Sequence, residues 1–199
     1  MVNLEFGNAM SDASYQPETA ELVQACLEGD ERAKHALVER FEIPVLRFCL
    51  SILGHRQDAE DVVQESLIRM LRSLRHWDST RRFEPWLMTI AANRCRTLMA
   101  RRAKRGPCWP LQDDERDPQS SFEESLGWRE EITLGLSLLR PEYRMALVLF
   151  HSQEMSYAEI SESLERPIGT IRIWIHRARR ELWNWMIERK TLEPTAHAV

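Results

Sequence analysis

The chain has 199 residues, 43% of them apolar and 29% charged, with a formal net charge of −4. That balance fits a soluble globular chain and excludes an intrinsically disordered one. No run approaches the roughly 18 apolar residues of a membrane-spanning helix, and strand-like alternation is missing, so an all-α chain is expected.

Residues 1–18 read as a disordered lead-in. They lack the basic start and apolar centre of a secretory signal, which predicts that the protein stays in the cytoplasm. A first helical pattern starts near Thr19 and is interrupted at Gly29-Asp30. A second runs from about Glu31 to Leu53, with Ala33, Leu37, Phe41, Val45, Phe48 and Ile52 at three-to-four spacing. Pro44 is expected to kink or break it, and Gly54 to stop it. The third pattern runs from about Gln57 to Arg75 with the stripe Ala59, Val62, Val63, Leu67, Met70 and Leu74. Asp58 stands at its start, where a carboxylate serves free N–H groups and the helix dipole. A polar break, 78–82, precedes a fourth pattern from about Phe83 to Arg102.

The four cysteines, Cys26, Cys49, Cys95 and Cys108, have no zinc-ligand spacing and read as structural thiols. No phosphate-binding loop, HExxH sequence or nucleophile–base motif is present, so neither catalysis, a metal nor a cofactor is expected.

The net charge averages over opposed patches. From Arg94 to Arg105 there are six basic residues and no acidic one, and from Arg166 to Arg180 five and none. Between these, Asp113 to Glu131 holds eight acidic residues against two arginines. Residues 106–124, with Pro107, Pro110 and Pro118, read as a flexible acidic linker. The resulting division is a lead-in at 1–18, a helical domain at 19–105, the linker at 106–124, a second helical domain at 125–190 and a tail at 191–199.

The last domain is the most informative. Helical patterning returns near Ser125, and Pro141 opens a helix to about His151. Ser156 and Glu159 fit a capping box, followed by a short helix to about Leu164. After a turn at 165–169, Thr170 is expected to cap a long helix reaching about Glu188. Short helix, turn, long basic helix is a helix-turn-helix pattern. At about 100° per residue, Ile171, Trp174, Ile175, Ala178, Leu182, Trp185 and Met186 share the core side. Arg172, His176, Arg177, Arg179, Arg180 and Asn184 share the other, together with Ile173. Thr170, Arg172 and His176 lie where such helices touch bases, and Arg177, Arg179 and Arg180 where they hold phosphates.

At this point the residues resemble a family. Leu138-Leu139-Arg140-Pro141-Glu142-Tyr143-Arg144, Met155-Ser156-Tyr157-Ala158-Glu159-Ile160, Pro167-Ile168-Gly169-Thr170-Ile171-Arg172 and His176-Arg177-Ala178-Arg179 resemble the C-terminal domain of extracytoplasmic-function (ECF) sigma factors, which recognises the −35 promoter element. Asp58-Ala59-Glu60-Asp61-Val62-Val63-Gln64-Glu65 is similar to the family's polymerase-binding motif. Phe83-Glu84-Pro85-Trp86-Leu87-Met88-Thr89-Ile90-Ala91-Ala92-Asn93-Arg94 is similar to its promoter-melting and −10 segment. The resemblance covers about residues 20–190.

It implies a two-domain, non-enzymatic subunit that binds core RNA polymerase and directs it to promoter DNA. Asp58, Asp61, Gln64 and Glu65 would meet the coiled coil of the β′ subunit, the β subunit would be a further contact, and the linker would lie within the polymerase. Asp58, Asp61 and Glu65 share one helix face, which suits a basic partner. Trp77, Asp78, Ser79, Thr80, Asn93, Arg94 and Arg96 would handle the −10 strand, where aromatic faces and a basic groove hold unstacked bases. An anti-sigma factor is implied as a further partner. The sequence departs from the family at Glu165-Arg166, where a turn glycine is usual, and at Ile171-Arg172-Ile173-Trp174-Ile175, where small polar residues are common. A free-standing helix-turn-helix regulator is the alternative. It leaves residues 57–105 unexplained. A protein-binding module with basic faces is a third reading.

Overall fold

The computed structural model describes residues 17–105 and 123–192, and every regular element among them is helical. In chain order these are α1 (Pro17–Leu27), α2 (Glu31–Leu53), α3 (Arg56–Ser73), a 3-10 turn (Leu74–His76), α4 (Phe83–Arg105), α5 (Glu123–Leu138), α6 (Pro141–His151), α7 (Tyr157–Leu164) and α8 (Ile168–Leu192). The expectations for the lead-in before Pro17, for Cys108, for the linker up to Phe122 and for the tail after Leu192 lie outside the described residues.

Local chemistry sets the boundaries. Asp30 caps α2 by accepting from the N–H groups of Arg32 and Ala33. Gly54 ends it in the left-handed conformation, φ +69°, donating its N–H to Leu50 O. Pro44 does not break α2, which runs through it. Its ring faces solvent, while buried Phe41, Val45 and Phe48 anchor both halves to the core. The cap of α3 also differs from expectation. The helix starts at Arg56 after His55, so Asp58 lies in its first turn and not at its cap.

α1 to α4 pack around Leu37, Val45, Phe48, Ile52, Met70, Leu87 and Met88, each under 2% exposed. Phe83 opens α4 and gathers an aromatic cluster, with ring centroids 4.9 Å from Phe41 and 5.2 Å from both Trp77 and Trp86. Cys26, Cys49 and Cys95 are free, buried thiols, with the last two sulfurs 3.9 Å apart.

α6 packs on α8 through buried Tyr143, Leu147, Ile171, Ile175 and Ala178. α7 closes this group with Ile160 and Leu164. Each such side chain contributes about 1.5–3 kcal/mol by leaving water. α5 crosses α8 closely at buried Gly135, where an added Cβ would come within 2.5 Å of Leu182 and 2.8 Å of Trp185.

The N-terminal and C-terminal helices meet where α7 packs against α4 and where α5 and α6 pack against α2. Among the described residues, no helix is long and apolar enough to cross a membrane.

Candidate polymerase and nucleic-acid surfaces

α3 carries the acidic set. Asp61 and Gln64 are exposed. Asp58 and Glu65 are not an open acidic face, because α4 supplies them with cations. Arg102 pairs with Asp58, whose side chain is 15% exposed, and Arg94 pairs with Glu65, which is 52% exposed. His55 Nδ1 lies 3.7 Å from Asp58 Oδ2, the same oxygen that Arg102 meets. The acidic residues of α3 and the basic residues of α4 thus form one paired seam. Beside it runs a groove of about 690 Å³ lined by Glu65, Ile68, Arg69, Ile90, Asn93 and Arg94. Ile68 is 49% exposed there.

The segment expected to meet the −10 strand is built around the break before α4. Trp77 stands edge-on to Phe83, which fixes its ring, and its buried Nε1 has no partner among the described residues. Asp78 accepts from Thr80 N at 2.9 Å and Thr80 Oγ1 at 2.7 Å. These two bonds lower the Asp78 pKa below the usual carboxylate range. Ser79 is exposed. Asn93 accepts from one arm of Arg96 at 2.8 Å, while the other arm donates to Leu164 O at 3.0 Å, the last residue of α7. Arg96 therefore serves a helix C-terminus of the other helical group. Arg81 holds Glu162 of α7 in a two-pronged pair at 3.2 Å, which raises its own pKa.

The helix-turn-helix has the expected order and a different second boundary. Ser156 Oγ accepts from Glu159 N while the Glu159 carboxylate accepts from Ser156 N, the predicted capping box. Glu165 takes the left-handed conformation, φ +53°, where glycine is usual, and donates its N–H back to α7. The turn is held by Arg166 N to Ser161 O at 3.0 Å and Ser161 Oγ to Arg166 O at 2.5 Å. α8 begins at Ile168, two residues before the expected cap Thr170. Pro167 O accepts the N–H groups of Thr170 and Ile171.

The basic face of α8 is real and partly fixed by its own group. Arg172 lies over the Tyr157 ring at 5.6 Å. Arg177 donates to the Tyr143 hydroxyl at 3.1 Å, a bond that raises its pKa. Arg179 lies over Phe150 at 5.1 Å and donates through Nε to His151 Nε2 at 3.0 Å. Among the described residues, no hydrogen bond or ion pair holds His176 or Arg180. A shallow groove of about 470 Å³ connects Arg140, Arg172, Ile173, His176, Arg177 and Arg180.

Sequence reading missed Arg140, which joins this groove from the α5–α6 corner, because its partners are distant in the chain. It also missed Arg144, which binds Ile52 O, Ser137 O and Leu139 O. A single arginine among many carries no signal of such a role.

The comparisons with known proteins agree with this geometry. The profile of Sigma-70 region 2 matches residues 37–105 and that of Sigma-70, region 4 matches residues 129–182. The chain is 30% identical to the ECF RNA polymerase sigma-E factor of Haemophilus influenzae, over 82% of this chain and 92% of that one. It is 32% identical to the ECF RNA polymerase sigma factor SigE of Mycolicibacterium smegmatis, over 79% of this chain, and spans 64% of that relative's length. It is 29% identical to SigW of Bacillus subtilis, over 77% and 89% of the two chains. Among solved structures, CnrH in complex with the cytosolic domain of CnrY has the same fold, with a TM-score of 0.62 and 23% identity over 84% of this chain and 96% of that one. RpoE of Bartonella quintana in complex with the anti-sigma factor NepR gives a TM-score of 0.56 at 20% identity over 86% and 96%. An acid-and-base seam followed by a basic helix-turn-helix face, on a chain that matches both regions and is 30% identical to a relative it nearly spans, means that the chain belongs to the family of ECF RNA polymerase sigma factors.

Proposed function

We propose that this sigma factor, which directs RNA polymerase to promoters, divides the work between its two helical groups. In this reading residues 19–105 bind core polymerase and handle the −10 strand, and residues 125–190 read the −35 duplex. The observation that carries it is the exposure of Asp61 and Gln64 on α3, remote from the core, beside a Glu65 that is half exposed. An accessible polar strip that carries the Asp61 carboxylate suits a basic helical surface, the β′ coiled coil. The work takes place in the cytoplasm with polymerase doing the chemistry, and the sigma subunit is no enzyme.

Reading the −10 strand with Asn93, Arg94 and Arg96 requires Arg96 to leave Leu164 O and α7 to withdraw from α4. That requirement makes the closed arrangement a natural target for an anti-sigma factor, the class of partner seen with RpoE of Bartonella quintana. Replacing Asp61 and Glu65 together by alanine is expected to weaken binding to core polymerase about tenfold or more, on the scale of two desolvated charge contacts, with helical content unchanged. Binding is measured by competition with labelled sigma for core enzyme. Unchanged affinity would remove the α3 contact, and no binding by the wild type would favour a regulator that acts alone on duplex DNA.

A further inference from the structure

The basic face of α8 carries one large apolar side chain, Ile173. Ile173 is 52% exposed, and the groove around it is lined by Arg140, Arg172, His176, Arg177 and Arg180, with Tyr143 and a single carboxylate, Glu181, completing the lining. The buried side of the helix is already filled by Ile171, Ile175 and Ala178. Ile173 points about 200° away from Ile171, so it adds nothing to the core.

Its surroundings decide what it fits. An apolar protein partner would have to bury four guanidinium groups around one side chain, at a cost of several kcal/mol per unpaired charge. A polyanion that also presents methyl groups has no such conflict. Duplex DNA does so in the major groove, where the phosphates neutralise the arginines and each thymine exposes a C5-methyl group. Isoleucine is also stiff at χ1 in a helix, so little rotamer freedom is lost on contact. One turn earlier, Gly169 lies on the same side, and nothing stands within 4 Å of the place a Cβ would occupy. The backbone there is bare, which lets this end of α8 come close to base edges.

From this placement we infer that Ile173 reads sequence by packing its side chain on the C5-methyl group of a thymine in the −35 element. The inference rests on the proposed −35 role of α8 and names what that helix recognises. Arg172 and His176 supply hydrogen bonds to neighbouring base edges. Arg177 and Arg180 hold the phosphates on either side. Ile173 makes the apolar contact that separates thymine from cytosine and from uracil.

Uracil differs from thymine only by that methyl group, so it isolates the contact. The probes are promoter duplexes selected from a random library by the holoenzyme, made from the full chain and core polymerase. Each −35 thymine is replaced in turn by deoxyuridine. Wild-type holoenzyme is expected to lose about fourfold in affinity at one thymine position, the worth of one buried methyl group. The Ile173→Ala holoenzyme is expected to bind the thymine and uracil probes equally. Indifference of the wild type to uracil at every position would overturn the inference, as would a selected element without thymine. Retention of the full thymine preference by Ile173→Ala would overturn it too. A scrambled −35 window distinguishes the deeper failure. If scrambling costs the wild type nothing, the −35 reading itself falls and the Ile173 contact with it. If scrambling costs affinity and uracil does not, only the contact falls.

Discussion

Glu165 holds the corner between α7 and α8 with φ +53°, a conformation that costs a residue with a Cβ about 1–2 kcal/mol. Its N–H, donated to α7, and the Arg166 bonds with Ser161 keep it there. The sequence showed the missing glycine but not the outcome, because backbone conformation at one turn is decided by what the flanking helices impose. Glu165→Gly is expected to raise unfolding stability by about 1 kcal/mol, less than the full strain because glycine gains freedom when unfolded. Chemical denaturation followed by circular dichroism measures this, and a destabilised variant would show that the strain is absent. His151 gives a pH dependence at the same scale. Its pKa is lowered by burial first and by Arg179 second, and Nε2 must be unprotonated to accept from Arg179. The folded state thus binds its proton less tightly than the unfolded one. The stability it contributes is complete above the ordinary histidine pKa, about 6.5, and is lost as pH falls below it. Denaturant midpoints are expected to fall from pH 7.5 to pH 5.5 more steeply in wild type than in His151→Gln. Equal slopes would assign the loss to other groups.

At the scale of elements, what could be read was what is local. Apolar spacing of three and four residues placed all four N-terminal helices, and Pro141, Gly54 and the pair Ser156 and Glu159 marked ends that the structure confirms. Besides the cap of α3, two expectations moved for physical reasons. Pro44 has its missing N–H on a solvent-facing side, so α2 tolerates it. Thr170 was expected to cap α8, but the Pro167 carbonyl takes that position two residues earlier. The seam between α3 and α4 was invisible because Glu65 and Arg94 are 29 positions apart, and only packing brings them together. The exposure of Ile173 followed from helical period alone, yet its ring of charges required Arg140 from another helix. The capping box offers a test of how much the local signal is worth. α7 has eight residues and cannot persist alone, so its N-terminus depends on Ser156. Ser156→Ala is expected to cost about 1 kcal/mol in thermal or denaturant unfolding, with Ser156→Asp close to wild type. If both substitutions cost the same, the cap contributes through something other than its acceptor.

The whole molecule is held in its closed arrangement by contacts of unequal strength. Arg81 and Glu162 are both largely exposed, so water screens their pair and it adds little despite its two-pronged geometry. Arg96 at Leu164 O adds one charge-assisted bond to the end of α7. Arg144 is different. It is half-buried, burial lowers its pKa, and its guanidinium spans Ile52 O at 2.8 Å, Ser137 O at 2.8 Å and Leu139 O at 3.2 Å. Those carbonyls belong to the C-terminal ends of α2 and α5 and to the corner after α5, where no helical N–H remains to serve them. One planar side chain thereby ties the N-terminal helices to the C-terminal ones and satisfies carbonyls on both sides. Arg144→Ala leaves these acceptors without a donor and is expected to cost about 2–4 kcal/mol, whereas Arg81→Ala is expected to cost little because solvent screens its pair. Arg144→Lys is expected to fall between them, because a point charge cannot serve three acceptors in a fork. Small-angle scattering adds a second readout, since loss of the tie lets the helical groups separate and raises the radius of gyration. Equal stability losses for Arg144→Ala and Arg81→Ala, with no change in radius, would show that the packing of α4 on α7 and of α2 on α5 and α6 keeps the molecule closed without Arg144.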